Sequence, residues 1–264
     1  MRELLDSSIA GLARAYRSRE VSPVEITRAT AERVEQANPL LNALWSIHLD
    51  DALASAAASE ERWRHVRPLG PLDGVPVTIK DSIHKNGWPW MHGTAANRNR
   101  PPSSFDAPPA ARLAEAGAVT LAKTVMPDFG LLASGVSSAF GIVRNPWRTD
   151  ASPGGSSAGA GASLAAGIGF ASVGSDIAGS VRLPASQCGL VALKPTQGRI
   201  PHLAPSTMRS AGPMARNVAD AAALLTVLAG ADPRDTLALP PEATPFEATL
   251  AGEVRGLRIG LLLD

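Results

Sequence analysis

The chain has 264 residues and a formal net charge of +1, with 45% hydrophobic and 19% charged side chains. This composition predicts a globular α/β protein with a sizeable core, and the balanced charge argues against a nucleic-acid or membrane-surface partner. One cysteine excludes an internal disulfide and a cysteine metal cage. With no recognisable signal peptide or membrane span, we expect a cytoplasmic protein.

Residues 1–66 predict a helical N-terminal region. Apolar side chains fall on one face at helical spacing at Leu5, Ile9, Leu12 and Tyr16. Ser22 and Glu25 form a predicted capping box around a proline at the first helical position, and this helix is expected to stop at 38–39. An alanine-rich helix is predicted over 50–64.

Residues 67–264 have the pattern of a catalytic core that combines strands and helices. The β-branched run over 75–80 predicts a buried strand that ends in Lys80. A helix is predicted over 110–117 and a strand over 118–122, which indicates a βαβ arrangement. A further helix is expected between an Asn217 cap and Gly230.

The apolar run over 254–263 predicts a buried strand close to the last residue. Because a buried strand needs partners, we expect that the C-terminal part of the fold is absent. A following segment, continuous or supplied by a second chain, should cover that strand. No linker divides 1–264, so we expect one incomplete domain, which alone would expose apolar surface and aggregate.

Two segments rich in glycine and serine, 152–159 and 175–184, are typical of loops that surround a reacting atom. Small residues let the backbone approach closely, and successive N–H groups can hold an oxyanion. A serine in such a loop becomes a nucleophile when a base lies within reach. Lys80 is the candidate base because it follows a buried strand.

Together with Gly74–Asp81, these segments resemble the amidase signature family. Further landmarks of that family follow in the expected order at 70–76, 122–129, 145–147 and 212–220. The resemblance covers nearly the whole chain and is strongest over 70–220. It implies a mixed, twisted β-sheet sandwiched between helices, and no cofactor.

The resemblance also implies roles for particular residues. Lys80 corresponds to the base, Ser156 to a bridging serine after a cis peptide bond from Gly155, and Ser180 to the nucleophile. The oxyanion hole corresponds to the N–H groups of Ile177, Ala178, Gly179 and Ser180. Met126, with Phe129, is expected to line the acyl pocket, and Ser157 to support substrate binding by hydrogen bonding.

The chemistry of these assignments requires a lysine that is neutral near pH 7. The ordinary lysine pKa is about 10.4, and burial lowers it by a few units, to about 7–8. A neutral Lys80 would accept a proton from Ser156 while Ser156 accepts one from Ser180. Two departures from the family pattern, Ala158 and Ala178 in place of glycine, leave these three residues untouched.

Other interpretations of the same residues have less support. Gly155–Gly159 fits the Gly-x-Ser-x-Gly nucleophile elbow, with Ser157 as nucleophile, but His202 is the only histidine downstream. Cys188 is a candidate nucleophile, although its apolar neighbours favour core packing. The histidines are scattered, and His84 with His92 lacks a third ligand, so no metal is predicted. Asp176 and Arg182 are expected to brace the loop.

The function that the resemblance implies is hydrolysis of small amides or related carbamates (a urethanase-type activity) by a free-standing enzyme. The alternative is a glutaminase-type subunit of an amidotransferase complex. Residues 134–141 do not resemble the corresponding stretch of those subunits, and Leu183 follows Arg182 where they favour glutamine. A binding protein without activity is disfavoured because all three triad positions are intact. A homodimer is left open, and the sequence names no substrate.

Overall fold

The computed structural model describes residues 2–258 and 260. In that part of the chain the helices are α1 (Arg2–Leu5), α2 (Ile9–Ser18), α3 (Pro23–Leu41), α4 (Leu49–Arg64), α5 (Pro108–Glu115), α6 (Ala158–Ala165), α7 (Arg182–Cys188) and α8 (Val218–Leu228). The strands are β1 (Leu44–Ile47), β2 (Pro76–Lys80), β3 (Val119–Thr124), β4 (Val136–Ser137), β5 (Gly141–Ile142), β6 (Ala171–Asp176), β7 (Val191–Ala192) and β8 (Ser210–Ala215).

Six of these strands form a mixed sheet in the order β1-β3-β2-β6-β8-β7. β2 is parallel to both β3 and β6, whereas β1, β8 and β7 join by antiparallel pairing. Parallel neighbours end at the same edge of a sheet, so the last residues of β2 and β6, Lys80 and Asp176, lie at one edge. β4 and β5 form a separate hairpin.

Helices cover both faces of the sheet, as the fold prediction required. Alternate residues of β2 point to opposite faces, and Val77 and Ile79 belong to the core cluster that contains residues of α2, α5 and α8. Lys80 points to the other face. There α6, a helix of glycine, alanine, serine and leucine, packs close to the strands because its side chains are small.

Most predicted elements are confirmed, and their boundaries move for local reasons. The capping box at Ser22 and Glu25 is present, but α3 continues through Pro39 to Leu41. The Asn38 side chain accepts hydrogen bonds from the N–H groups of Ala43 and Leu44, at 2.9 and 2.8 Å. These contacts hold the last helical turn, and the helix ends at Asn42, which has φ +51°.

Three other predictions change in the structure. The apolar stripe from Leu5 to Tyr16 is divided between α1 and α2, because Ser8 caps α2 by accepting from Gly11 N–H. β3 extends to Thr124, beyond the predicted 118–122. In the run predicted as a strand over 254–263, residues 254–257 form a turn, and residues 259 and 261–263 lie outside the described residues.

Across residues 2–258 and 260, no helix combines the length and the apolar character needed to cross a membrane.

The contact of α6 with the sheet gives a prediction for stability. A Cβ on Gly159 would fall 2.5 Å from the Val125 nitrogen and closer still to the Ala43 oxygen. Backbone atoms cannot yield as side chains do, so Gly159→Ala should lower the free energy of unfolding by about 2 kcal/mol or more. Urea denaturation measures it. Gly11→Ala, in α2, is the matched control and should change it by less than about 1 kcal/mol; equal effects would contradict the packing argument.

Candidate active site

Lys80 is the last residue of β2, and its side chain is wholly buried. Its Nζ lies 2.8 Å from Ser156 Oγ, 3.2 Å from Ser175 Oγ and 3.3 Å from the Ser175 carbonyl oxygen. The lysine predicted as a base and the serine predicted as its partner are therefore in direct hydrogen-bond contact.

The surroundings of Lys80 favour its neutral form. Burial lowers the pKa of Lys80 to about 7, the charges of Asp176 and Asp81 oppose this shift, and the Arg209 charge adds to it. Near neutral pH a large fraction of Lys80 then has a free electron pair and can accept a proton.

The loop before α6 brings Ser156 to this lysine. The Gly155–Ser156 peptide bond is cis, as the resemblance implied. Gly155 lies against Ser134: a Cβ there would come 2.6 Å from the Ser134 nitrogen and closer to its oxygen. Only glycine fits this contact, and the Ser156 side chain is nearly wholly buried beside Lys80.

Ser180 lies in the short loop between β6 and α7, and its side chain is partly exposed. Asp176 fixes this loop by accepting hydrogen bonds from Gly179 N–H (2.7 Å), Val181 N–H (3.1 Å) and the Arg182 guanidinium (3.0 and 3.1 Å). Although burial opposes its ionisation, these donors lower the pKa of Asp176 to about 2. Asp176 and Arg182 thus brace the loop, as predicted.

The backbone also ties Ser180 to the loop that carries Ser156. Ser157 N–H donates to the Ser180 carbonyl oxygen at 3.0 Å. The Ser180 hydroxyl has no hydrogen bond to any described residue, so the predicted contact between Ser156 and Ser180 is not formed in this conformation. Such contacts in a site without substrate often close only when substrate binds.

The predicted oxyanion hole is modified at one position. The Gly179 N–H donates to Asp176 and is therefore engaged. The N–H groups of Ile177, Ala178 and Ser180 have no hydrogen-bond partner among the described residues, and the first two of these residues are exposed. Three of the four predicted donors therefore have no partner among the described residues, and their role in an oxyanion hole stays a prediction.

Met126 lies close to Ser156. A Cβ on Gly130 would be 3.3 Å from Met126 Cε and 3.2 Å from Ser156 Oγ, so both atoms border the same small space. Met126 is buried, whereas Phe129 is half exposed. This position is compatible with the predicted role of Met126 in an acyl pocket.

Ser157 lies next to Ser156 in the same loop. Its side chain is wholly buried, and its hydroxyl donates to the Ser175 carbonyl oxygen at 3.5 Å. This hydrogen bond supports the strand below the site, and the role of Ser157 in substrate binding stays a prediction. The nucleophile elbow also lacks its histidine, because neither ring nitrogen of His202 has a hydrogen-bond partner among the described residues.

Cys188 is a core residue, as its neighbours predicted. It is wholly buried, its sulfur lies 3.6 Å from the Pro153 carbonyl oxygen, and burial raises the pKa of its thiol to about 12. A thiol with this pKa is protonated at neutral pH and is a poor nucleophile.

Residues near Lys80 that the sequence did not indicate are Ser175, His92 and Arg209. The charges of Lys80 and Arg209 add to burial in lowering the pKa of His92 to about 4. Ser175 belongs to β6, so strand register is the signal that could have placed it. The loop that carries Arg209 has no motif, and only the pairing of β8 with β6 brings it to the site.

Comparison with known proteins agrees with this architecture. The Amidase family model matches residues 25–264. A curated relative, a glutamyl-tRNA(Gln) amidotransferase subunit from Chloroflexus aurantiacus, is 40% identical over 99% of this chain and 54% of its own length.

Two solved structures are similar to the chain. 6-Aminohexanoate cyclic dimer hydrolase has a TM-score of 0.88 and 35% identity over 97% of this chain and 53% of its own. A bacterial aryl acylamidase of the amidase signature family has a TM-score of 0.86 and 32% identity, over 93% and 52%.

A mixed sheet between helices is the architecture that this chain shares with those enzymes. In this chain a lysine and a serine are in contact at one edge of that sheet. The chain belongs to the amidase signature family, whose members act on carbon–nitrogen bonds. It spans about half the length of the curated relatives it matches.

Proposed function

We propose that the protein hydrolyses amide bonds through an acyl-enzyme on Ser180, with Ser156 and neutral Lys80 as the proton relay. The observation that carries this proposal is the wholly buried Lys80, whose Nζ lies 2.8 Å from Ser156 Oγ. A buried lysine beside a serine hydroxyl, with a pKa near neutrality, is suited to accept and return a proton.

The proposed reaction has two halves. Ser180 Oγ attacks the amide carbon as its proton passes to Ser156 and the Ser156 proton passes to Lys80. The N–H groups of Ile177, Ala178 and Ser180 hold the oxyanion, and the relay returns the proton to the departing amine. Water then attacks the acyl-enzyme, activated by the same relay, and releases the acid.

The substrates we propose are small amides and related carbamates. Leu183, at the start of α7, lies against the nucleophile loop: a Cβ on Gly179 would be 3.0 Å from Leu183 Cγ. Ile177 and Leu183 are both partly exposed, and they give the surroundings of Ser180 an apolar character. An apolar stretch of the acyl group next to the amide carbon fits these surroundings.

A second function is favoured by one observation. The 40% identity to a subunit of an amidotransferase supports a glutaminase-type role inside a complex. Both functions use the same amide chemistry. They differ in substrate and in dependence on partners, and Leu183 and residues 134–141 favour the free-standing enzyme.

The exposed apolar side chains near the site support a covering segment, continuous or on a second chain, in the working protein. Those side chains are Phe129, Leu131, Leu132, Ile177 and Leu183. We also propose that residues 1–264 act as one unit in the cytoplasm, with the helical region 1–66 supporting the core.

An activity panel on the full chain tests the function. Aryl amides, aliphatic amides, carbamates, esters and glutamine are assayed with and without cell lysate. We expect turnover of small amides that lysate does not change, and little release of ammonia from glutamine. Glutamine hydrolysis that appears only with lysate would establish the amidotransferase alternative, and the absence of turnover for every substrate would exclude both functions.

A further inference from the structure

His202 is a buried histidine without a hydrogen-bond partner for its ring. The residue is only 3% exposed, and neither Nδ1 nor Nε2 has a partner among the described residues. Its backbone N–H, in contrast, donates to Asp235 Oδ2 at 2.8 Å, so the loop itself is firmly held. Buried polar groups are ordinarily paired, and two unpaired ring nitrogens in a fixed loop point to a ligand.

Arg209 is the second group with free donors in the same loop. Its Nη2 donates to the Ala204 carbonyl oxygen at 2.8 Å, while its buried Nε has no partner among the described residues. Gln197 fixes its backbone by donating to the Arg209 carbonyl oxygen at 2.9 Å. The guanidinium is therefore anchored at one nitrogen and open at another.

The sheet places Arg209 at the candidate active site. Ser210 is the first residue of β8 and pairs with Asp176, the last residue of β6. Arg209 directly precedes Ser210, so its backbone lies at the sheet edge where the Ser180 loop begins. The Arg209 charge adds to burial in lowering the pKa of both Lys80 and His202.

The carboxylates around these groups already have hydrogen-bond partners. Asp235 accepts from His202 N–H and Leu237 N–H, at 2.8 and 2.9 Å. His84 and His92 carry no charge near pH 7, because burial above all lowers the pKa of each to about 4. Asp176 is occupied by the Arg182 guanidinium and three backbone N–H groups. Asp81 accepts from Gly93 N–H and Met91 N–H, at 2.7 and 3.3 Å.

We propose that His202 and Arg209 form a subsite for a carboxylate of the substrate, beside Lys80. The inference rests on the proposed amide hydrolysis and deepens it: the preferred substrates are monoamides of dicarboxylic acids, with an apolar spacer between the amide and the carboxylate. Arg209 supplies charge and an N–H donor, and the neutral His202 ring supplies a second donor. Glutamine fits poorly because its ammonium group would lie beside Lys80 and Arg209. The nearby protein carboxylates already have partners and do not offset this charge.

The kinetic test compares succinamate with butanamide, a neutral amide of similar length, using the full chain at pH 9. Arg209→Gln should raise KM for succinamate about 30-fold, with KM for butanamide within about twofold, since a hydrogen bond to a charged group is lost. Arg209→Lys should recover part of that loss. Arg148→Gln, the same change at an exposed arginine paired with Asp150, is the control and should alter neither KM.

A binding test does not depend on turnover. Succinate should raise the Tm of the full chain, and the increase should be lost in Arg209→Gln and in His202→Asn but kept in Arg148→Gln. The pH profile gives a further readout: without the Arg209 charge, the pKa of Lys80 rises, and the acidic limb for butanamide should move to higher pH.

The outcomes separate the two proposals. If butanamide is hydrolysed and Arg209→Gln leaves the succinamate KM unchanged, the carboxylate subsite is wrong and amide hydrolysis stands. If no amide is hydrolysed while succinate stabilises only proteins that retain Arg209, the subsite stands and the proposed function fails. Equal stabilisation of Arg209→Gln by succinate would overturn the subsite in either case.

Discussion

Ser180→Ala should lower kcat for amide hydrolysis by about 10⁴-fold or more, because it removes the atom that forms the acyl-enzyme. Folding should change little, since Ser180 is partly exposed and its hydroxyl makes no hydrogen bond with the described residues. Turnover of a chromogenic aryl amide and labelling by a fluorophosphonate measure the effect. Both should be lost together.

The matched control is Ser157→Ala, at a serine in the neighbouring loop. Ser157 is wholly buried and donates to the Ser175 carbonyl oxygen, so its loss should lower stability and reduce activity by less than about tenfold. The opposite pattern, with Ser180→Ala active and Ser157→Ala inactive, would make Ser157 the nucleophile and reject the assignment of Ser180.

The sequence predicted part of the site. β-Branched residues favour a buried strand, so the run over 75–80 predicted the strand that ends in Lys80. The close contact of Gly155 with Ser134 was not predicted, because it depends on a different loop. The family resemblance supplied the pairing of Lys80 with Ser156, which spacing alone did not give.

Other features depend on contacts between distant segments. β1 follows α3 only because the Asn38 side chain turns the chain towards β3. The hydrogen bond from Gly179 N–H to Asp176 depends on the conformation of the loop over 176–180. The sequence of that loop does not specify this conformation. Arg209 reaches the site through the register of β8 with β6. No sequence motif around Arg209 indicates this position.

A second buried lysine shows how partners decide the role of such a residue. Lys123 in β3 is also wholly buried, and burial lowers its pKa to about 8. Its Nζ donates to the carbonyl oxygens of Ile83, at 2.5 Å, and of Asp81, at 3.5 Å. Carbonyl groups only accept hydrogen bonds, so they offer Lys123 no proton to take, whereas Lys80 lies beside a hydroxyl group that has one to give.

This contrast defines the last prediction, for Lys80→Ala. Amide hydrolysis should fall by about 10³-fold or more, and ester hydrolysis should fall less, because an alkoxide leaving group needs less protonation than an amine. In the unaltered protein kcat/KM should rise with pH through about 7, the pKa of Lys80, since only the neutral amine accepts a proton. That acidic limb should be missing in Lys80→Ala.

Lys123→Ala is the control that distinguishes the loss of a catalytic base from the loss of a buried ammonium group. It removes an equally buried ammonium group from the neighbouring strand, so it should lower stability without displacing the acidic limb of the pH profile. Measuring kcat/KM for an amide and its matched ester from pH 5 to 10, together with urea unfolding, distinguishes the two variants. If Lys80→Ala keeps the acidic limb, or if Lys123→Ala loses it while still folded, the base is not Lys80, because the titrating group would then lie elsewhere in the protein.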